Sequence, residues 1–315
     1  MAETLPAQTP KPSRVTVLMA TYNGRQWIDA QVDSILGQRG VEVVLVVSDD
    51  GSSDGTLEHL HARALEDPRI RVLPPRGGRP GVTANFLHLF TTHIPDDSAV
   101  AFSDQDDVWR EDKLLLELAA MHSAGMDVVS SNAESFSATG ARSIIKKNQP
   151  LRKWDHVFEA AGPGSTYLFS PQAHARIVDA LSRLDYSRIG VHDWYLYAIA
   201  RAIGLHWTIL EEATVEYRQH EANVLGANSG PAARKFRLER LMSGFYREQF
   251  LLTARAIREV SDYSASAKAD LDCLIAELEN GSFRSRLAFA RRWRQIRRKP
   301  LEGIELACSR LAFIW

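Results

Sequence analysis

The alternation of short apolar runs with segments of helical spacing is the feature that most constrains the fold of this 315-residue chain. The apolar runs are too short to form helices and predict buried strands. Between them, apolar residues recur at the spacing of one helix face. This alternation predicts an α/β fold, with a mostly parallel sheet and helices on both faces. The runs occupy residues 15–21, 41–47, 70–73, 99–102 and 127–130.

Polar clusters directly follow three of these runs, at residues 21–23, 48–54 and 103–107. In open α/β sheets, ligands bind beyond the carboxyl ends of the strands. Scattered surface acids would not repeatedly fall at the same end of a sheet. The sequence therefore predicts one ligand site built from these three clusters.

Asp104, Asp106 and Asp107 place three carboxylates within four residues. Neighbouring carboxylates repel one another, and a divalent cation offsets that repulsion. Hard oxygen ligands of this kind suit Mg²⁺ or Mn²⁺ shared with phosphates. An acidic helix N-terminus is the alternative, since carboxylates favour the positive end of a helix dipole.

The second cluster, residues 49–56, also ends a strand and begins a helix. Asp50 is the residue we expect to accept a hydrogen bond from a nucleotide base or a ribose hydroxyl. Asp54, with Ser53 and Thr56, has the composition of a turn and helix cap.

Four segments together resemble one known family: VTVLMATYNG, SDDGSSDGT, GVTANF and FSDQDDVW, in this order and spacing. They are similar to the nucleotide-binding half of family 2 glycosyltransferases, and in particular to bacterial rhamnosyltransferase-like members. The resemblance extends over residues 14–228. It implies a GT-A (Rossmann-like) fold, a dTDP- or UDP-linked sugar donor, Mn²⁺ or Mg²⁺, and inversion at the anomeric carbon.

The same resemblance assigns roles within these segments. Asp104 and Asp106 would form the DxD pair that binds the metal and the donor diphosphate, with Asp107 in support. The residues expected to contact the nucleotide are Thr21, Tyr22, Asn23, Asp50 and Asn85.

Asp193 matches the position of the catalytic base, in the segment Gly190-Val191-His192-Asp193-Trp194. A positioned carboxylate can remove the proton of the attacking hydroxyl as the new bond forms. Many family members have Glu-Asp here, whereas this chain has His192, which would orient the acceptor or tune Asp193. A helix N-cap is the alternative role of Asp193.

Two further segments resemble parts of the same subgroup. In Tyr217-Arg218-Gln219-His220, we expect His220 to be a third metal ligand, because neutral imidazole binds divalent metals. Arg218 would contact the diphosphate or the acceptor. A purely structural histidine is the alternative. Residues 162–166 resemble the acceptor-side loop, where glycine permits close approach of a sugar.

Residues 229–315 are expected to form a helical, basic extension behind the transferase domain of residues 14–228. That domain would comprise a nucleotide half (14–131) and an acceptor half (132–228), after a disordered leader of residues 1–13. Residues 281–300 contain eight basic residues and no acid, with apolar residues interleaved. This pattern suits an anionic membrane surface, or else a helix packed on the core or against another subunit.

Composition excludes several classes of protein. The net charge of −1 gives no general reason to expect nucleic acid. No apolar stretch of about 18 residues indicates a transmembrane helix, and residues 1–14 do not have the pattern of a signal peptide. We expect a cytoplasmic protein, peripheral on the inner face of the cell membrane, with Cys273 and Cys308 as reduced, buried thiols. The oligomeric state stays open.

The predicted function is therefore transfer of a sugar, with L-rhamnose as one candidate, to a saccharide or lipid-linked acceptor in cell-surface polysaccharide synthesis. A nucleotidyltransferase is one alternative, although residues 21–24 offer little of the basic, Gly-rich loop that a triphosphate requires. A non-catalytic carbohydrate- or lipid-binding scaffold with a degenerate transferase fold is the other.

Overall fold

A computed structural model describes residues 13–78, 80–93, 97–137, 140–220, 235 and 238–315. Apart from Ser13, which begins the first strand, the predicted leader lies outside the described residues. Within the described part, no helix is both long and apolar enough to cross a bilayer.

Nine strands among the described residues form one sheet, in the order β3-β2-β1-β4-β8-β6-β9-β5, with β7 paired to β6. The first half, β3-β2-β1-β4, is entirely parallel. The second half mixes parallel and antiparallel pairs. The strands are β1 (Ser13–Thr21), β2 (Val41–Asp49), β3 (Ile70–Val72), β4 (Ala99–Ser103), β5 (Val108–Trp109), β6 (Val128–Ser137), β7 (Arg142–Ile145), β8 (Leu168–Phe169) and β9 (Trp207–Gln219).

Helices cover both faces of this sheet, as predicted for an α/β fold. Along β1 the side chains alternate between two apolar cores, with Leu18 in one and Val17 and Met19 in the other. The helices are α1 (Ile28–Leu36), α2 (Thr56–Glu66), α3 (Val82–Thr92), α4 (Lys113–Ala124), α5 (Asp155–Phe158), α6 (Pro171–Leu181), α7 (His192–Ala202), α8 (Phe245–Val260), α9 (Ala265–Glu279), α10 (Phe283–Ala290), α11 (Trp293–Ile296) and α12 (Pro300–Leu311).

The strands of the acceptor half, and one strand that pairs with it, depart from the expected pattern. The apolar patterns of residues 206–210 and 214–217 predict two short strands, and the structure has one strand, β9, whose register against β6 shifts around Asn132. Strands β5 and β7 were not predicted. Each is short and is fixed by pairing with a partner strand, and local sequence does not encode that pairing.

The basic extension packs against the rest of the protein. Phe289, Ile296 and Trp315 are buried in the larger apolar core. Arg298 is fully buried, and its guanidinium pairs with Asp155 and Glu159. The extension therefore adopts the alternative in which its helices pack on the core. Part of its apolar face is buried there and is no longer accessible to a membrane.

The expectation of buried thiols is wrong, since Cys273 and Cys308 are both free and exposed. They lie on the outer faces of α9 and α12, where core packing does not reach.

Candidate active site

The three polar clusters meet at the carboxyl ends of β1, β2 and β4. Thr21 Oγ1 donates to Asp49 Oδ2 at 2.7 Å, which joins the ends of β1 and β2. Tyr22 and Gln105 exchange two hydrogen bonds of 2.9 Å, which join the first and third clusters. The Tyr22 side chain itself is exposed at this edge of the sheet.

Asn23 holds the first two clusters together. Its backbone N–H donates to Ser52 Oγ at 2.8 Å, and its side-chain Oδ1 accepts from the Ser53 N–H at 2.8 Å. Its backbone has φ of 50°, in the left-handed region that Asn tolerates better than most residues. Asn23 therefore connects the first two clusters to each other, and the Thr21 hydroxyl binds the Asp49 carboxylate.

Asp49 and Asp50 have different surroundings. Asp49 accepts from the N–H groups of Gly51 and Ser52 and so builds the turn. Asp50 Oδ1 pairs with an Arg76 guanidinium nitrogen at 2.7 Å, and its Oδ2 accepts from the Gly81 N–H at 2.6 Å. Both side chains of this pair are only 8% exposed.

Arg76 was missed by the sequence reasoning, although it is a cation in the turn-rich segment 74–81. Its pairing with Asp50 depends on the path of that segment back over the sheet. Asn85, on α3, is also buried at this edge. Its Nδ2 donates to the Ser48 carbonyl at 2.9 Å, and its Oδ1 has no hydrogen-bond partner.

The aspartate cluster follows β4 and precedes β5, so the alternative of a helix N-terminus is wrong. Asp104 and Asp106 are half-buried, whereas Asp107 is fully buried. Asp107 accepts from the Arg218 N–H at 3.0 Å and from Ser165 Oγ at 2.9 Å. Asp107 thus links the cluster to β9 and to the 162–166 loop.

Burial and neighbouring negative charge raise the pKa values of two of these carboxyl groups. Burial, and then the charges of Asp106 and Asp193, raise the pKa of Asp104 to about 8. Burial, with Asp104 and Asp106 nearby, raises the pKa of Asp107 well above its ordinary value. Additional positive charge at this place would stabilise the ionised carboxylates.

The end of β9 brings His220 and Arg218 to the same cluster. His220 Nε2 lies 2.7 Å from Asp106 Oδ2, and the imidazole stacks on Trp27 at 4.0 Å between ring centroids. Arg218 Nε donates to the Asp106 carbonyl at 2.7 Å, and its guanidinium lies over the Phe136 ring.

Of the three predicted ligands Asp104, Asp106 and His220, the structure therefore brings His220 into direct contact with Asp106. Across the described residues, no three His, Cys, Asp or Glu side chains are already arranged as a metal site. The donor chemistry still fits Mg²⁺ or Mn²⁺, because oxygen ligands dominate and the carboxylates repel one another.

Asp193 lies at the start of α7 and is buried. The N-cap residue of this helix is Val191, so the alternative role of Asp193 as the N-cap is wrong. Burial raises the pKa of Asp193 to about 6, opposed by the Trp194 N–H and by the charge of Lys147. A carboxyl group with this pKa is ionised at neutral pH and can accept a proton.

His192 lies beside Asp193 and stacks on Phe86, with 4.1 Å between ring centroids. Burial lowers its pKa to about 3, so the imidazole is neutral. Its Nε2 is buried without a hydrogen-bond partner. A Cβ on Gly164 would lie 2.9 Å from this nitrogen, so the loop requires glycine there.

The family model of glycosyl transferase family 2 matches residues 16–180, more than half of the chain. The chain belongs to glycosyl transferase family 2. This family 2 transferase is 33% identical over 247 residues to the dTDP-rhamnosyl transferase RfbG of Shigella flexneri, covering 77% of this chain and 86% of the relative. It is 30% identical to the putative teichuronic acid biosynthesis glycosyltransferase TuaG of Bacillus subtilis, covering 46% of this chain and 54% of the relative.

Solved structures with a similar fold include S. aureus TarS 1-349, at a TM-score of 0.56 and 16% identity, covering 96% of this chain and 80% of that one. The mannosyltransferase PcManGT of Pyrobaculum calidifontis, solved with GDP-Man and Mn²⁺, has a TM-score of 0.53 at 17% identity, covering 96% and 75%. At these identities the likeness concerns the fold, and it confirms the predicted GT-A architecture with its C-terminal helices.

Proposed function

We propose that this family 2 glycosyltransferase moves a sugar, L-rhamnose in the first instance, from a dTDP- or UDP-linked donor to a saccharide or lipid-linked acceptor. The observation that carries the proposal is that residues 164–165 lie between the proposed base and the aspartate cluster. A Cβ on Gly164 would lie 3.4 Å from Asp193 Cβ, and Ser165 Oγ donates to Asp107 Oδ2 at 2.9 Å. The likeness to a dTDP-rhamnosyl transferase supports the choice of donor.

In the proposed reaction, the acceptor hydroxyl gives its proton to Asp193 while its oxygen attacks the anomeric carbon. The bond from that carbon to the donor phosphate breaks on the opposite face, which inverts the configuration, and the nucleoside diphosphate leaves. Asp104, Asp106 and His220 would hold a divalent cation, which supplies positive charge to the leaving diphosphate. Asp50 and Arg76, with Tyr22 and Asn85 nearby, would hold the nucleotide, and Arg218 would contact the diphosphate.

The first experiment is the melting temperature of the full chain with dTDP, UDP and GDP, each with and without Mn²⁺ or Mg²⁺. A ligand that binds only the folded state raises stability by mass action. We expect a metal-dependent rise with one nucleotide, dTDP first. NMR of the transfer product then tests inversion.

The alternatives predict other results. A nucleotidyltransferase would respond to nucleoside triphosphates and release pyrophosphate. A non-catalytic scaffold would bind saccharide or lipid with no metal-dependent nucleotide shift. Either result in a well-folded sample would contradict the proposal.

A peripheral position on the inner face of the cell membrane is part of the proposal. The extension exposes the apolar side chains of Phe283, Leu301 and Ile304. Arg284, next to Phe283, and Lys299, two residues before Leu301, are exposed as well. Such a surface suits anionic lipid. Since Phe289 and Trp315 belong to the core, deleting the extension would damage the fold, and surface variants are the better test.

We expect Phe283→Ser combined with Leu301→Ser to reduce flotation with anionic liposomes. Leu65→Ser, at a 91% exposed leucine on α2, is the control. Equal flotation of all three proteins would remove membrane binding from the proposal.

A further inference from the structure

The segment that precedes α7 is bound by side chains from two other helices. Gly190 lies three residues before Asp193, and its carbonyl accepts from Thr83 Oγ1 of α3 at 2.8 Å. The Gly190 N–H donates to Gln249 Oε1 of α8 at 2.8 Å. The side-chain amide of Gln249 also donates to the Arg188 carbonyl at 3.2 Å. This segment is therefore fixed from both sides at the point where the helix of the proposed base begins.

Gln249 belongs to the C-terminal extension and is buried, with only 3% of its surface exposed. Both polar atoms of its amide bind backbone groups of the segment before α7. A buried amide needs such partners, because an unpaired polar group in the interior costs free energy. Phe245, one turn earlier on α8, packs so closely on Gly190 that a Cβ there would lie 2.8 Å from the ring. Helix α8 thus determines the path of the backbone at Gly190.

The extension also binds the segment that leads into the acceptor-side loop. Arg298 Nη2 donates to the Ala160 carbonyl at 2.6 Å. Arg297 Nη1 donates to the Phe158 carbonyl at 2.6 Å. Hydrogen bonds from a charged guanidinium are stronger than those between neutral groups. The backbone just before the loop is therefore held from the extension by two adjacent arginines.

The two bound segments meet beside the proposed base. A Cβ on Gly164 would lie 2.9 Å from His192 Nε2 and 3.4 Å from Asp193 Cβ. The acceptor-side loop and the start of α7 therefore contact each other, and the extension binds the backbone before each of them. The family model covers residues 16–180, so these contacts come from a part of the chain that it does not cover.

We propose that the C-terminal extension positions the acceptor side of the active site, through Gln249 on one segment and Arg297 on the other. The inference rests on the proposed transferase function. The attacking hydroxyl must be held about 3–3.5 Å from the anomeric carbon and aligned with its base, and a misplacement of about 1 Å costs roughly 100-fold in rate. Nucleotide binding by Asp50 and Arg76 uses other side chains, so it should persist when these contacts are removed.

The first test compares the full chain with Gln249→Met, which keeps the size of the side chain and removes both of its hydrogen bonds. The assay uses dTDP-L-rhamnose, Mn²⁺ and a saccharide acceptor. We expect kcat/KM for the acceptor to fall about 10–100-fold. The KM for the donor and the metal-dependent melting shift with dTDP should stay as in the wild type. Thr253→Val, at another buried position one turn further along α8, is the control and should keep every wild-type constant.

Arg297→Met makes the corresponding change at the other segment. It removes the hydrogen bond to the Phe158 carbonyl and also the ion pair with Glu302. Glu302→Gln is its matched control, because it removes the ion pair and leaves the contact with Phe158 in place. We expect kcat/KM for the acceptor to fall in Arg297→Met and to match the wild type in Glu302→Gln, both at neutral pH.

Hydrogen exchange of the free protein gives a readout that needs no substrate. The Gly190 amide should exchange faster in Gln249→Met than in the wild type or in Thr253→Val, because its hydrogen-bond acceptor is gone. Unchanged exchange would show that Gln249 does not fix this segment, and it would overturn the inference.

Two kinetic results would also overturn the inference while the transferase proposal stands. The first is a wild type that transfers sugar together with unchanged acceptor constants in both Gln249→Met and Arg297→Met. The second is a loss of the dTDP melting shift that equals the loss of transfer, since it would indicate general damage to the fold. If the wild type transfers no sugar, the proposed function itself fails, and hydrogen exchange still decides whether Gln249 fixes the segment before α7.

Discussion

His220 Nε2 lies 2.7 Å from Asp106 Oδ2, although 114 positions separate the two residues in the chain. The contact joins the end of β9 to the aspartate cluster that follows β4. An imidazole held against a carboxylate in this way provides nitrogen and oxygen donors at one point. It lies beside Asp104 and Asp107, whose pKa values are raised by burial and by neighbouring carboxylates.

For His220, we predict that substitution with alanine removes most of the metal-dependent part of the nucleotide melting shift. Loss of one ligand or its support should weaken apparent Mn²⁺ affinity roughly 10-fold or more. Titration of Mn²⁺ in the presence of dTDP measures this. His206→Ala alters another His–Asp pair, with Asp127, and should have no effect. Equal Mn²⁺ affinity in both variants would exclude His220 from the metal site.

Replacing Asp193 with asparagine should lower kcat by about 10²–10⁴, the usual contribution of a general base. The nucleotide melting shift should persist, because Asp193 lies on the acceptor side. Since burial raises the pKa of Asp193 to about 6 and the ionised form is the active one, wild-type activity should rise as pH increases through about 6. Asp185→Asn, in the loop before α7, is the control. Normal turnover of the Asp193 variant would remove it as the base.

Asp50→Asn should weaken nucleotide binding about tenfold, because a charge-assisted hydrogen bond becomes a neutral one. It also leaves Arg76 without its buried carboxylate partner. Calorimetry with dTDP and UDP measures the affinity. Asp54 accepts hydrogen bonds from the Thr56 N–H and hydroxyl, so Asp54→Asn should lower the melting temperature and keep the affinity. The reverse pattern would place the nucleotide contact at Asp54.

The docking of the basic extension should weaken in acid. Partial burial alone would raise the pKa of Glu302, but the charge and hydrogen bond of Arg297, with the charges of Lys299 and Lys147, together outweigh burial and lower the pKa to about 2. The folded state then binds fewer protons than the unfolded state between about pH 2 and the ordinary Glu pKa near 4.3. The Arg297–Glu302 pair therefore stabilises the folded state above about pH 4, and this stabilisation is lost as the pH falls toward 2. Chemical denaturation at several pH values should show a smaller acid-induced loss for Glu302→Gln than for the wild type.

Arg298→Met should destabilise the fold by about 3–5 kcal/mol, the usual result of removing one partner of a buried ion pair. Asp155 and Glu159 would keep their charges in the interior with one cation fewer. Urea denaturation measures the free energy of unfolding. Arg291→Met, at an exposed position of the same extension, should change it by less than about 0.5 kcal/mol.

Several parts of the site follow from local pattern. Apolar runs ending in polar clusters predicted that residues 21–23, 48–54 and 103–107 would share one edge of a parallel sheet, and they do. The prediction works because buried parallel strands need continuous apolar runs, and their carboxyl ends must then align. The roles assigned to Asp50, Asp104, Asp106, Asp193, Arg218 and His220 stay predictions that the experiments above address.

Other parts depended on long-range packing. Arg76 pairs with Asp50, and Gln249 binds the segment before α7, through chain paths that no local spacing encodes. The basic extension is the clearest case: its sequence suits a membrane surface or a protein core equally, because both bury an apolar stripe and leave arginines at its rim. Periodicity therefore established that the stripe would be buried, and the partner that buries Phe289 and Trp315 was settled by the complementary apolar surface of the transferase domain.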